Sequence, residues 1–188
     1  MAFKYANTLT SITYNGLTPT LGVDKNFSTI HVAIYWLVNP PSGTHNMVLD
    51  NTGTVSYLAI FGLSLDGVDQ TTPVDSTGGQ GGSGASSPIS DAITCSSGGW
   101  AYDMILSTTT AQTMTPGSGQ TRVGIEEVQA VLFDASYKAG ASAMAWSWAS
   151  GTKTDVHSIV AIKEAAGAAV IANFIGSGFF GGAAGRQG

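Results

Sequence analysis

Charge is scarce in this sequence. Of 188 residues only 10% are Asp, Glu, Lys or Arg, 12 acids against 7 bases, for a formal net charge of −5; an ordinary soluble domain carries roughly 25%. Seven scattered cations on an acidic chain do not build the basic surface that displaces counterions from phosphates, so nucleic acid is excluded as a partner. Cysteine is nearly absent too. Cys95 stands alone, which rules out a disulfide framework or a cysteine-ligated zinc site within one chain. No apolar core follows the N-terminal Met1-Ala-Phe-Lys, so a secretory signal is not expected. Strongly apolar runs are missing as well. Residues 165–185 are uncharged and long enough to cross a bilayer. Gly167, Gly176, Gly178, Gly181 and Gly182 dilute their hydrophobicity, so a membrane span is not the expected reading.

What is present is small, polar and β-forming. Gly, Ser and Thr make up about a third of the chain, yet 43% of residues are hydrophobic and fall in periodic runs. This is the composition of a globular domain rather than a disordered chain. Residues 30–38 are rich in β-branched and aromatic side chains and stop at Asn39-Pro40-Pro41, where two prolines cannot donate to a ladder. A turn then leads into residues 45–49, which reads as a hairpin. Residues 54–65 alternate with apolar side chains on both faces, the mark of a strand buried between layers. Residues 102–106, 128–133, 141–148 and 156–163 are further strand candidates. Helix signals are few: residues 125–133 suit helix or strand equally, and residues 165–172 are alanine-rich. About eight to ten short strands predict an all-β fold, an antiparallel β-sandwich. The low-complexity stretch 76–87 reads as a flexible Gly/Ser loop between strands. The organisation expected is one domain over 1–164 and a Gly/Ala-rich C-terminal arm over 165–188.

Reactive chemistry is thin. His31, His45 and His157 fall in separate strands, without the spacing of a metal site. Asp66, Asp69 and Asp75 lack a calcium-loop pattern and sit in turn-forming sequence. Glu126 and Glu127 are adjacent, so they cannot face one another on a strand or a helix. There is no Gly-x-Ser-x-Gly elbow, the glycine-rich stretch lacks the Lys-Ser/Thr of a phosphate loop, and Cys95 has no neighbouring base. No catalytic residue, cofactor or metal is assigned. Aromatics are the remaining handle. Trp36, Trp100, Trp146 and Trp148, with Tyr35 and Tyr102, suit core and interface better than a sugar-stacking platform; Trp146 and Trp148 share one strand face.

The run from Ile34 to His45 (Ile-Tyr-Trp-Leu-Val-Asn-Pro-Pro-Ser-Gly-Thr-His) and the run from Leu63 to Asp75 resemble a β-sandwich module encoded by tailed bacteriophages and prophages. Thr115-Pro-Gly-Ser-Gly-Gln-Thr121, the Trp strand 144–148 and the closing strand 158–163 fit the same pattern in order, so the resemblance spans roughly residues 8–164. It implies a jelly-roll-like domain with a virion-associated structural role and carries no catalytic motif. The sequence departs from the pattern after Lys163. The function expected from the resemblance is a capsid decoration (cement) protein, made in the host cytoplasm and carried on the virion. It would bind the major capsid protein as a homo-oligomer, with a trimer in view. The arm would contact neighbouring subunits through Phe174, Ile175, Phe179 and Phe180. The alternative is a tail or baseplate fibre module that binds a host receptor or glycan through Trp100, Trp146 and Trp148. A β-sandwich hydrolase is the weakest reading, because no two carboxylates form a recognisable pair.

Overall fold

The computed structural model describes residues 2–5, 9–52, 55–108, 113–128, 131–149, 151–168 and 170–181, with side chains for all but 2–5, 55–56 and 171–181. Among these the chain is all-β, without a helix. In chain order the strands are β1 (Ala2–Tyr5), β2 (Leu9–Tyr14), β3 (Thr20–Phe27), β4 (Ile30–Trp36), β5 (Met47–Asn51), β6 (Val55–Asp66), β7 (Val74–Ser86) and β8 (Ile89–Ala92). There follow β9 (Trp100–Ser107), β10 (Thr115–Pro116), β11 (Thr121–Val128), β12 (Val131–Ala139), β13 (Ala143–Ser147), β14 (Thr152–Ile162) and β15 (Ile171–Gly181). All pairings among the described residues are antiparallel. They build one five-stranded sheet ordered β15-β6-β1-β4-β3 and a second ordered β11-β12-β9-β14-β7, with a three-stranded sheet β10-β13-β8 and a two-stranded sheet β2-β5.

The apolar side chains show how the sheets stack. Val23, Val32 and Ile34 of the first sheet meet Met104, Leu106, Phe133 and Val160 of the second in one core, and Val32 is fully buried there. Ser158 of β14 donates to the Val32 carbonyl of β4 at 2.6 Å, so this buried hydroxyl is satisfied across the two layers. The opposite face of the second sheet is covered as well. Ala101, Ile105, Leu132, Ile159 and Ala161 point away from the first sheet and pack under Ile89, Met144, Trp146 and Trp148 of the β10-β13-β8 side. On the far side, Ile12 and Leu49 of β2-β5 cover Ala33, Tyr35, Leu58 and Ile60 of the first sheet. The second five-stranded sheet is therefore central, and its β9 and β14 are buried along almost their whole length. Burying each large side chain here contributes about 1.5–3 kcal/mol.

Several expectations change. Residues 76–87 are not a flexible loop: β7 runs through Ser86 and pairs with β14 from Ile162↔Val74 to Thr152↔Ser86. Its glycines let a strand lie close against neighbouring backbone, which composition alone does not separate from flexibility. Residues 30–38 and 45–49 both contain strands, but these do not form a hairpin. β4 pairs with β1 and β3, while β5 pairs with β2 in a different sheet. The segment 125–133 resolves into neither a helix nor one strand: β11 ends at Val128 and β12 begins at Val131, its direct partner. The described residues of 165–172 are not helical; 165–168 makes a turn, with Ala168 N donating to Ala165 O. Within the segment expected as an arm, β15 continues the first sheet along β6.

Candidate functional site

The densest polar chemistry lies between the central sheet and β10-β13-β8. In β9, β12 and β14, alternate residues face that gap, and among them are Asp103, Asp134, Ser136, Asp155 and His157, all buried. Strand periodicity places them on one face. His157 Nδ1 lies 2.6 Å from Asp91 Oδ2 on β8, and its Nε2 lies 2.9 Å from Asp103 Oδ2 on β9. Asp103 also accepts from Trp146 Nε1 at 2.8 Å, from the Ser136 amide at 3.0 Å and from Ser136 Oγ at 2.5 Å. Gln120 extends the chain of bonds: its Nε2 donates to Ser136 Oγ at 2.8 Å, and its Oε1 accepts from Ala145 N at 2.7 Å. Beside this network, Arg122 Nε donates to Asp134 Oδ1 at 3.0 Å and Nη2 lies 2.9 Å from Oδ2, while Nη2 also donates to the Met114 carbonyl.

Carboxylates only accept, so an imidazole held between two of them carries a proton on each nitrogen. Burial opposes that charge, but the hydrogen bonds and charges of Asp103 and Asp91 prevail and raise the His157 pKa to about 9. Burial raises Asp134 to about 7, against the opposing pull of Arg122. Asp155 rises to about 6, chiefly through burial and in part through Asp91. With both nitrogens engaged, His157 has no lone pair for a metal or for a proton from a hydroxyl. Ser136 already donates its proton to Asp103. The arrangement fastens β8 and β13 onto the central sheet through His157–Asp91, Trp146–Asp103 and Gln120–Ala145.

The residues singled out in sequence are placed as follows. His31 lies 3.4 Å from Asp24, and His45 Nε2 is 2.8 Å from the Ser42 carbonyl with its ring edge-on to Tyr14. Asp69 accepts from the amides of Thr71 and Thr72 and serves a turn, whereas Asp75 lies in β7 and accepts from the amide of Ser96, far along the chain. Among the described residues, no group of three or more His, Cys, Asp and Glu is disposed to hold a metal ion, and no helix is long and apolar enough to cross a membrane. Burial pushes the Cys95 thiol above its ordinary pKa. Trp146 and Trp148 are interior residues, so neither offers a ring face to a glycan: Trp146 is spent on Asp103, and Trp148 Nε1 donates to the Gly151 carbonyl. Trp100 is half-buried, its ring 5.2 Å from that of Tyr137. The side chains of Phe174, Ile175, Phe179 and Phe180 lie outside the described residues.

Sequence reasoning missed the His157–Asp91–Asp103 network. The available signal was a charged residue inside each of three apolar strand patterns, at Asp103, Asp134 and His157. Comparison of the chain with protein-family models, with curated proteins and with solved structures returns no significant match.

Proposed function

We propose that this protein is a virion structural protein that decorates an assembled phage shell, a jelly-roll-like module binding the major capsid protein as a homo-oligomer. The observation that carries this reading is where the apolar and the reactive groups lie. The titratable network is enclosed between sheets, whereas several large apolar side chains are exposed on or next to β2-β5. Leu17 and Met47 are both exposed at the end of β2-β5, where Tyr14 pairs with each of them; Val48, the next residue on β5 and also exposed, points to the opposite face. Leu21 follows four residues after Leu17, and both Leu21 and Val48 are 50% exposed. Grouped apolar side chains at a surface mark a protein contact more often than scattered ones do. The resemblance of residues 8–164 to phage sandwich modules supplies the kind of partner.

The test is the copy number of this chain in purified particles relative to the major capsid protein, together with binding of the purified chain to assembled shells. Hundreds of copies, scaling with capsid subunits, support decoration. A few to a few tens point to the tail or baseplate instead. Absence from particles overturns both. Replacing Leu17 and Met47 with Ser should weaken shell binding by about a hundredfold if both side chains are buried on docking.

A further inference from the structure

The described methionines divide sharply by exposure. Met104, Met114 and Met144 are fully enclosed, each at 0%, whereas Met47 is 40% exposed at the start of β5. Met47 pairs with Tyr14, and Tyr14 bridges to Leu17, so the three side chains share one face at the end of β2-β5. Leu17 is itself 45% exposed. The Met47 thioether is the side chain of that group which a peroxide oxidises by direct oxygen transfer. Cys95, a second sulfur outside the fully enclosed core, lies elsewhere in the fold, and burial raises its pKa and holds it as the less reactive thiol.

We propose that Met47 is an oxidation switch on this surface: a hydroperoxide converts its thioether to the sulfoxide, and the oxidised chain docks weakly. The proposal rests on the reading of the Leu17–Met47 end as the shell contact. In the step, a lone pair of Sδ attacks one peroxide oxygen, an S–O bond forms and the O–O bond breaks. The sulfur is oxidised and the peroxide reduced, one electron pair passing between them. The hydroxide released takes the proton from the attacked oxygen and leaves as water. In the free chain Met47 is open to solvent, so the sulfoxide oxygen stays hydrated and the fold loses little. Docking strips that water from a strong acceptor set beside the apolar Leu17, which is costly. The same change at Met104, Met114 or Met144 would instead place a polar group in the core and damage the fold. Sulfoxides are reduced back to thioethers by dedicated reductases, so the change is reversible, as a switch requires.

The experiment treats the folded full chain with dilute hydrogen peroxide, maps oxygen uptake by peptide mass spectrometry, and measures binding to assembled shells before and after. Met47 is expected to gain one oxygen at least about tenfold faster than Met104, Met114 and Met144, with the urea midpoint unchanged. The oxidised chain should bind shells about tenfold more weakly or worse. Met47→Leu, apolar and similar in volume, should bind as the untreated chain does, both before and after peroxide. That variant separates oxidation at Met47 from oxidation at Cys95 or anywhere else. Equal oxidation of the core methionines, full binding by chain oxidised at Met47, or the same loss of binding in peroxide-treated Met47→Leu overturns the switch alone. If the untreated chain does not bind shells, the decoration reading falls and the switch falls with it, whatever the oxidation map shows.

Discussion

Asp103 accepts from three side chains and one amide while buried, so each donor depends on the same carboxylate. Asp103→Ala leaves Trp146 and Ser136 without that partner and the buried charge of His157 with Asp91 alone to balance it. We expect a loss of about 3–5 kcal/mol in urea unfolding, larger than for removal of any surface ion pair. The pH dependence has a definite sign. His157 has a raised pKa, so its contribution is fully present below its ordinary 6.5 and is lost as pH rises through about 9. Asp134 and Asp155 are also raised, from 3.8 to about 7 and about 6; they hold protons more tightly when folded, and their contribution falls as pH rises through those values. The urea midpoint should therefore fall between about pH 5 and 9, and His157→Gln should flatten the upper part of that slope. An unchanged slope in the variant refutes the assignment. Asp103 and His157 were legible as charged residues in apolar strands, but their meeting with Asp91 was not: the three lie on separate strands, and only the stacking of the β10-β13-β8 sheet on the central sheet joins them.

At the level of elements, alternation and β-branched content located β4, β6, β9, β13 and β14, because those strands pack apolar side chains. β7 escaped the same reasoning, since its contacts are made by backbone rather than by side chains. Gly79→Ala tests this directly. The added methyl meets the His157 carbonyl at a φ of +107°, so a loss of ~4 kcal/mol or more is expected in thermal or urea unfolding. β15 gives a second test. It pairs with β6 from Ile171↔Asp66 to Gly181↔Tyr57, so truncation after residue 168 exposes the edge of β6. Removing its ladder should cost roughly 3–5 kcal/mol and speed hydrogen exchange in β6, while β9 and β14 keep their protection. Equal exchange in β6 before and after truncation would show that β15 adds nothing to the sheet.

For the whole molecule, the central sheet should be the last part to open. Amides of β9, β12 and β14 are enclosed by layers on both sides, and their exchange should track global unfolding, whereas β8 and β13 should exchange at a lower free energy. The all-β class was legible from composition and period. The layering was not, because a sheet covered on both faces loses the alternation that tells inside from outside. The strand order has a further consequence for how the chain is made. β14 is the last of the five central strands to leave the ribosome, yet it lies between β9 and β7, and those two do not pair with each other. β1, the earliest strand, likewise waits between β4 and β6. A nascent chain arrested near residue 150 therefore has a central sheet in two unjoined parts, and the domain closes only after most of its synthesis is complete.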